Sequence, residues 1–274
     1  MIKKVGKDRL TITMSEDVLS KLDKYIDGDK IRNRSHAIEY IVSHHLGTDV
    51  STCVILAGGS PDQSIKPLLR IKNRPIIAYT IELLRQANIR NIIMVINSDN
   101  QDIKKYLGDG SQWKVAITYI EDKSGQGTAV ALKLAQQYIT GSFLLLYGDV
   151  LVNIDLQEFI QYHKALDRVA ATLAVTACTN PSHYGVTELQ GHYILRLIEK
   201  PASYNKSNLV FAGLAICEPQ LFDYLLQPEK RSDLTRDILP DLAHRGQIAG
   251  YPFSGKWFDV SYPEEYERAR QEWI

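Results

Sequence analysis

The pattern of hydrophobic and polar residues changes near residue 48. Residues 9–14 alternate polar and apolar side chains with a period of two, which predicts a short strand with one face for a core. Two helical stripes follow, the first after Ser15, a good helix cap, and the second from Asn33–Ser35 to Gly47. One strand and two helices cannot enclose a core alone, so we expect this segment to pair with a second copy.

From Thr52 onward, strand and helix patterns alternate. Apolar strands are predicted at 52–57, 92–96, 115–120 and 143–147, and helices at 75–87, 102–107 and 128–138. Such alternation predicts an α/β fold with a parallel sheet and helices on both faces. Ligands of these sheets bind beyond the carboxyl ends of the strands, where Gly58-Gly59 and Gly148-Asp149 fall.

Composition adds a few bounds. The 274 residues are 45% hydrophobic and 23% charged, with 32 basic and 32 acidic residues, which excludes a disordered chain and a wholly basic nucleic-acid coat. The length favours two domains, which we place at 1–47 and 52–274. The first holds nine Lys and Arg against seven Asp and Glu. No apolar run reaches the roughly 18 residues of a membrane helix, and the charged start lacks a signal sequence, so we expect a cytoplasmic protein without membrane segments.

The first segment resembles a family of DNA-binding proteins. Arg9-Leu10-Thr11-Ile12-Thr13-Met14-Ser15 is similar to the strand of the ribbon-helix-helix family, and the resemblance covers about residues 4–47. It implies a homodimer whose two-stranded ribbon enters the major groove of a DNA operator, while the sequence leaves open whether such dimers pair into a tetramer. The DNA contacts it implies are Lys7, Arg9, Thr11, Thr13, Asn33 and Ser35, the last two through a phosphate at the start of the second helix. The alternative is a dimerisation arm that never meets DNA.

The second segment carries seven short motifs in a fixed order. Each is weak alone, since a Gly-Gly after a strand is often only a tight turn. The motifs are Leu56-Ala57-Gly58-Gly59, Lys66-Pro67-Leu68-Leu69, Gly127-Thr128-Ala129, Gly148-Asp149, Tyr184-Gly185-Val186, Glu199-Lys200-Pro201 and Trp257-Phe258-Asp259-Val260. As an ordered set they resemble the sugar-1-phosphate nucleotidyltransferases over about residues 52–274. This resemblance implies a Rossmann-like, glycosyltransferase-A-like fold with a mixed, mainly parallel sheet.

The resemblance also implies a chemistry and a set of site residues. A sugar phosphate oxygen attacks the nucleotide α-phosphate and pyrophosphate leaves, which needs positioning and charge neutralisation. Asp149 and Asp259 would hold Mg²⁺, Lys66 would neutralise nucleotide phosphate, and Lys200 would meet the sugar phosphate. Sugar hydroxyls would contact Gly185 and Glu199, and the nucleotide would contact Leu56, Ala57, Gly58, Gly59, Gly127 and Thr128. The alternatives are solvated surface lysines and, for Asp259, a carboxylate that caps the helix beginning near Pro263.

Two departures from the family pattern bear on function. The family usually continues Gly-Gly as Gly-x-Gly-Thr-Arg before a longer stretch, whereas here only six residues, Ser60 to Ile65, separate Gly59 from Lys66. The arginine that clamps the β- and γ-phosphates is missing, Asp62 adds a negative charge, and Arg70 or Arg74 are poorly placed to substitute. The second departure is Val260-Ser261-Tyr262, where the family usually has glycine and threonine.

The residues expected to bind the base, the metal and the sugar are present, whereas the arginine expected to clamp the triphosphate is missing. This combination favours a protein that senses a nucleotide or NDP-sugar. The sequence-based hypothesis is therefore a DNA-binding transcription regulator whose second domain binds a nucleotide or NDP-sugar as effector, with weakened catalysis. The alternative is an active Mg²⁺-dependent sugar-1-phosphate nucleotidyltransferase with an autoregulatory or dimerising arm. In a third reading the arm only assembles the complex.

Overall fold

The computed structural model describes residues 11–26, 28, 31–46, 50–58, 66–98, 100–166, 169–203, 206–225 and 232–273. The chain divides into two compact units, Met1–Thr48 and Asp49–Ile274. Within the described ranges no helix is both long and apolar enough to cross a membrane.

The amino-terminal unit contains two helices, α1 (Glu16–Asp23) and α2 (Arg34–Leu46). Ser15 caps α1 as expected, because its hydroxyl oxygen accepts the backbone N–H of Val18. Asp23 accepts two hydrogen bonds from the Arg34 guanidinium, at 2.7 and 2.8 Å, and so joins the end of α1 to the start of α2. The two helices expected from the sequence are therefore present.

The expected strand at residues 9–14 is absent from its described part. Thr11–Met14 pairs with no other segment that the structure describes, and a strand forms only with a hydrogen-bonding neighbour. Large apolar side chains consequently remain exposed, namely Ile12, Val18, Tyr25 and Val42. Lys7 and Arg9 lie outside the described residues.

At the start of α2, a side chain already uses one of the backbone N–H groups that were expected to bind a phosphate. The side chain of Asn33 accepts the backbone N–H of His36 at 3.0 Å, so Asn33 caps α2 and occupies one of the N–H groups expected to hold a phosphate. Thr11, Thr13 and Ser35 are exposed. Contact of these residues with DNA stays a prediction.

The second unit is built from strands and helices that follow one another along the chain. The strands are β1 (Thr52–Leu56), β2 (Arg70–Ile71), β3 (Arg74–Pro75), β4 (Asn91–Asn97), β5 (Ala116–Asp122), β6 (Phe143–Tyr147), β7 (Val150–Val152), β8 (Ala171–Ala177), β9 (Gly185–Gln190), β10 (Tyr193–Glu199), β11 (Leu209–Cys217), β12 (Ile248–Pro252) and β13 (Trp257–Asp259). The helices are α3 (Ile76–Gln86), α4 (Gln101–Leu107), α5 (Thr128–Leu134), α6 (Leu156–Lys164), α7 (Leu239–His244) and α8 (Pro263–Glu272). One π turn, Leu234–Ile238, runs directly into α7.

The main sheet of the described residues has nine strands in the order β5-β4-β1-β6-β11-β8-β12-β10-β9. Strands β5, β4, β1 and β6 are parallel, whereas β11 runs antiparallel to both β6 and β8, and β9 and β10 form an antiparallel pair. The sheet is therefore mixed, as the resemblance implied, and its second half keeps one parallel pair, β8 with β12. The two-residue turn between β9 and β10 accounts for the antiparallel pairing of those two strands, since such turns connect only antiparallel strands.

Both faces of the sheet are covered, as the alternating pattern predicts. On β1, Cys53 and Ile55 pack into a core with residues of α3, α4 and α6, while Val54 and Leu56 pack into a second core with residues of α5 and α7. Leu56 of β1 lies beside Tyr147 of β6 in parallel register. The carboxyl ends of these two strands therefore meet at one edge, where Gly58 and Asp149 follow them.

Candidate active site

Two carboxylates converge at the carboxyl ends of the strands. Asp149 follows β6, and Asp259 ends β13, which pairs with β7 so that Asp259 lies opposite Val150. The backbone carbonyl of Asp149 accepts the N–H of Val260 at 3.0 Å. Two residues that are 110 positions apart in the sequence thus become neighbours, as the resemblance implied.

Ser261 links the two carboxylates. Its hydroxyl donates to Asp149 Oδ2 at 2.7 Å, and its backbone N–H donates to Asp259 Oδ1 at 2.9 Å. Burial, followed by the negative charge of Asp149, raises the pKa of the Asp259 carboxyl above its usual range. The bonds from Ser261 and the positive charge of Lys66 act in the opposite direction.

The pair suits a divalent cation with oxygen ligands. Two carboxylates forced together in a partly buried place repel each other, and a cation between them removes that repulsion. Among the described residues, no group of three or more His, Cys, Asp and Glu side chains is arranged to hold a metal. A site with two carboxylates fits Mg²⁺, which is typically held by one or two carboxylates together with waters and substrate phosphates.

The nucleotide side of the site follows β1 and β4. The Gly148 N–H donates to the Leu56 carbonyl at 2.9 Å, and the buried Asn100 side chain donates to the Ala57 carbonyl at 2.9 Å. Leu56 and Ala57 therefore lie beside Gly148, the residue before Asp149, and Gly58 follows them. Gly59 and the shortened segment up to Ile65 lie outside the described residues.

The two arginines considered as replacements for the missing clamp have other partners. Arg74 forms an ion pair with Glu82 at 2.6 Å, and its guanidinium lies 4.7 Å from the centre of the Tyr79 ring. Arg70 donates to the Asn73 carbonyl and is exposed. The expectation that neither replaces the clamp agrees with these contacts.

Gly127 and Thr128 begin α5 and touch the segment before α7. Gly127 has φ +109°, and a Cβ on it would lie 2.4 Å from the Ser232 carbonyl oxygen, so only glycine fits. The Thr128 hydroxyl donates to Asp233 at 3.3 Å and accepts the N–H of Leu234 at 2.9 Å. Thr128 thus fixes the shape of this pocket, and a direct contact with a nucleotide stays a prediction.

Gly185 and Glu199, predicted to contact the sugar, face each other across the β9–β10 pair. They are register partners, and a Cβ on Gly185 would lie 3.1 Å from Glu199 Oε2. Burial, strongest among several causes, raises the pKa of Glu199, and the neighbouring Asp233 carboxylate adds to the effect. Such a desolvated carboxylate is a strong hydrogen-bond acceptor for hydroxyl groups.

Lys200 follows Glu199 with an uncommon backbone conformation. Its φ is +45°, and its N–H donates to the Tyr184 carbonyl at 3.0 Å. Burial raises the pKa of Tyr262, the positive charge of Lys200 acts in the opposite direction, and the Tyr262 hydroxyl donates to the His183 carbonyl at 2.8 Å. Lys200 itself is exposed, so its contact with a sugar phosphate stays a prediction beside the alternative of a solvated surface lysine.

The structure brings together most of the residues that the motifs singled out. Asp149, Asp259 and Lys66 form one group, while Gly185, Glu199 and Lys200 form a second that shares the His183–Tyr184 segment and Tyr262 with it. Residues that the motifs did not assign also contribute, namely Asn100, Asp233, Ser261 and Tyr262. Their signal in the sequence was weak, except at Ser261-Tyr262, where the departure from the family pattern marked the position.

A comparison with protein families decides the assignment of this unit. The model of the family described as nucleotidyl transferase matches residues 52–273. The chain belongs to the nucleotidyl transferase family. The carboxylate pair, the Gly185–Glu199 contact and the glycine at 127 are thus features of a nucleotidyl transferase domain.

Known relatives of this domain point to sugar phosphates. The chain is 28% identical over 208 residues to the mannose-1-phosphate guanylyltransferase catalytic subunit beta of Xenopus tropicalis, and 30% identical over 212 residues to the mannose-1-phosphate guanyltransferase of Candida albicans. Each alignment covers 73% of this chain and 56% of the relative. The chain thus spans little more than half the length of these curated relatives.

Solved structures agree with the fold. A provisionally assigned glucose-1-phosphate thymidylyltransferase from Bacillus anthracis, crystallised with sucrose, matches with a TM-score of 0.73 and 26% identity over 80% of this chain and 94% of its own. A UDP-glucose pyrophosphorylase in complex with UDP-glucose matches with a TM-score of 0.70 and 22% identity, over 81% of this chain and 97% of its own, which shows the shared fold.

The hypothesis of a DNA-binding regulator with weakened catalysis is wrong. The relatives over the nucleotidyl transferase domain are named as mannose-1-phosphate guanylyltransferases, and they support the enzyme alternative. The physical reason is that phosphate charge can be neutralised from several directions. Lys66 and the carboxylate pair that suits a cation remain in place although the clamp arginine is missing.

Proposed function

We propose that the chain is an active Mg²⁺-dependent sugar-1-phosphate nucleotidyltransferase that converts a nucleoside triphosphate and a sugar 1-phosphate into an NDP-sugar and pyrophosphate. The observation that carries this proposal is the convergence of Asp149 and Asp259 beside Lys66, at the carboxyl ends of β6 and β13. The family match and the named relatives support it.

In the proposed reaction, some residues of this chain neutralise phosphate charge and others position the substrates. Asp149 and Asp259 would hold Mg²⁺, which when bound would neutralise phosphate charge. Lys66 adds a positive charge on the nucleotide side, and Lys200 adds one on the sugar-phosphate side. Glu199 accepts hydrogen bonds from hydroxyl groups of the sugar and so orients the sugar phosphate for in-line attack on the α-phosphate.

The names of the relatives suggest which substrates to try first. Mannose 1-phosphate and GTP are the starting pair, with glucose 1-phosphate and the other nucleoside triphosphates beside them. Glu199 and Lys200 are consecutive residues, and they offer one negative and one positive group to the hydroxyl and phosphate ends of such a substrate.

Pyrophosphate release from these pairs tests the proposal. We expect Mg²⁺-dependent turnover by the full chain, and a loss of at least about 100-fold in Asp149→Asn, because the cation site is halved. Asp223→Asn changes an exposed carboxylate on a 3-10 turn and serves as the matched control. Wild-type protein that releases no pyrophosphate from any pair, or an Asp149→Asn variant as active as the control, would refute the proposal.

We further infer that the amino-terminal unit, residues 1–47, is a dimerising segment of the ribbon-helix-helix type. The exposed Ile12, Val18, Tyr25 and Val42 support this, because a second copy would bury such side chains. Light scattering tests it, with a dimer expected for the full chain and a weaker dimer for Val18→Ser with Val42→Ser. A monomeric wild-type chain at micromolar concentration would contradict the inference.

A further inference from the structure

Ser261 is hydrogen-bonded to both carboxylates of the candidate site. Through its hydroxyl and its backbone N–H it gives one hydrogen bond to each, at 2.7 Å to Asp149 Oδ2 and 2.9 Å to Asp259 Oδ1. Each of these bonds uses one oxygen of its carboxylate. The other oxygen of each stays outside these bonds and is left for a cation.

The backbone around Ser261 is tied on both sides. The Val260 N–H donates to the Asp149 carbonyl at 3.0 Å, and the Tyr262 N–H donates to the Asp259 carbonyl at 3.2 Å. Val260 is 4% exposed, so its side chain anchors the segment in the core. The Ser261 hydroxyl therefore starts from a fixed backbone position, and its bond to Asp149 selects one orientation of that carboxylate.

Orientation matters here because two negative groups repel each other before a cation arrives. An unrestrained aspartate side chain would turn away from its neighbour, and a metal would then have to reverse that rotation on binding. Hydrogen bonds to charged acceptors are stronger than neutral ones, and groups that orient metal ligands in this way influence metal affinity directly.

We propose that Ser261 is a positioning residue that holds Asp149 and Asp259 ready for the divalent cation, and that this role depends on its hydroxyl group. The inference rests on the proposed function, because it takes the two aspartates as the metal ligands of the transferase.

Binding of Mn²⁺ alone to the full chain tests this inference without any turnover. Electron paramagnetic resonance of free Mn²⁺ gives the dissociation constant for the wild type and each variant. We expect Ser261→Ala to weaken binding by about 10- to 100-fold. Ser261→Thr keeps a hydroxyl and should bind within a few-fold of the wild type, and Ser254→Ala, at an exposed serine, should bind like the wild type.

A second measurement separates positioning from general damage. With saturating substrates, the Mg²⁺ activation constant of Ser261→Ala should rise by a similar factor, while the KM for the sugar phosphate and the melting temperature stay close to those of Ser254→Ala. Ser261→Gly also lacks the hydroxyl and gives the same test if the alanine variant does not fold.

The outcomes distinguish this inference from the proposed function. Wild-type Mn²⁺ binding that is absent, or that survives Asp149→Asn, overturns the assignment of the metal ligands and the inference with it. Binding that depends on Asp149 but is equal in Ser261→Ala and Ser254→Ala overturns the inference alone. Equal weakening in Ser261→Ala and Ser261→Thr shows that the hydroxyl is not the active group and also overturns it.

Discussion

The close approach of Gly185 to Glu199 allows a sharp test of the sugar side of the site. A Cβ at residue 185 would lie 3.1 Å from Glu199 Oε2 and 3.3 Å from the methyl group of Thr235. Both distances are tighter than ordinary contacts, so these groups must give by a few tenths of an ångström. The Gly185→Ala substitution therefore displaces Glu199 without removing it.

The expected size of the effect follows from the bond that is loosened. A hydrogen bond to a charged group contributes roughly 1.5–3 kcal/mol. A shift of a few tenths of an ångström forfeits a part of that, about 1 kcal/mol, which corresponds to a change of about fivefold in affinity. We expect the KM for the sugar 1-phosphate to rise by about fivefold, and the KM for the nucleoside triphosphate to stay nearly constant.

Steady-state kinetics with each substrate varied in turn measures this effect. Gly141→Ala is the matched control, because a Cβ there meets nothing within 4 Å and Gly141 does not have a positive φ. Both variants should retain the melting temperature of the wild type to within a few degrees. Equal KM values for the sugar 1-phosphate in the two variants would refute the assignment of Glu199 to the sugar, as would a rise confined to the nucleotide KM.

Two further predictions concern stability. Gly127→Ala should lower the free energy of unfolding, measured in urea, by at least about 1 kcal/mol more than Gly125→Ala. Both glycines have a positive φ, but only a Cβ at residue 127 would meet a backbone oxygen at 2.4 Å. Equal losses in the two variants would contradict this prediction. The side chain of His163 lowers the pKa of Glu218. A carboxylate with a lowered pKa stabilises the fold above its usual pKa near 4.5, and this contribution is lost as the pH falls. Glu218→Gln should therefore lower the free energy of unfolding by about 1 kcal/mol at pH 7 and by progressively less below pH 4.5. A difference from the wild type that stays constant with pH would refute the reasoning.

The first half of the sheet is predictable from the sequence because each strand and helix there has its own clear pattern. The strand predicted at 143–147 is β6 residue for residue, and the helix predicted at 75–87 differs from α3 by one residue at each end. The helix predicted at 128–138 is shorter, since α5 ends at Leu134 and a 3-10 turn, Gln136–Tyr138, completes it. Hydrophobic spacing does not distinguish a 3-10 turn from the end of an α-helix.

The second half of the sheet is less predictable because its order is a property of the tertiary structure. Strand β11 inserts between β6 and β8, although β9 and β10 lie between β8 and β11 in the sequence. Its buried run, Val210–Cys217, is apolar on both faces and carries no sign of direction. The antiparallel pairing with β6 and β8 consequently came only from the structure.

Part of the candidate site could also be predicted from the sequence motifs, and the rest depends on contacts that only the structure gives. Asp149 and Asp259 could be paired from the order of the motifs, whereas no spacing in the sequence places the hydroxyl of Ser261 against Asp149 or the phenol of Tyr262 against the His183 carbonyl. These contacts depend on the register of β13 with β7 and on the turn that follows it. A departure from a family motif thus marked a position whose function only the geometry could suggest.

The missing clamp arginine shows why the absence of one motif residue is a poor basis for rejecting an activity. An arginine on the β- and γ-phosphates lowers the barrier to pyrophosphate departure, and its loss changes a rate. The ability to transfer a nucleotidyl group depends instead on a cation site, a nucleotide pocket and a sugar pocket that face one another. In the proposed function Asp149 and Asp259 would provide the first of these, and the fixed hydroxyl of Ser261 would strengthen it. A tighter cation site is one physical means by which this chain could offset the charge lost from the shortened loop.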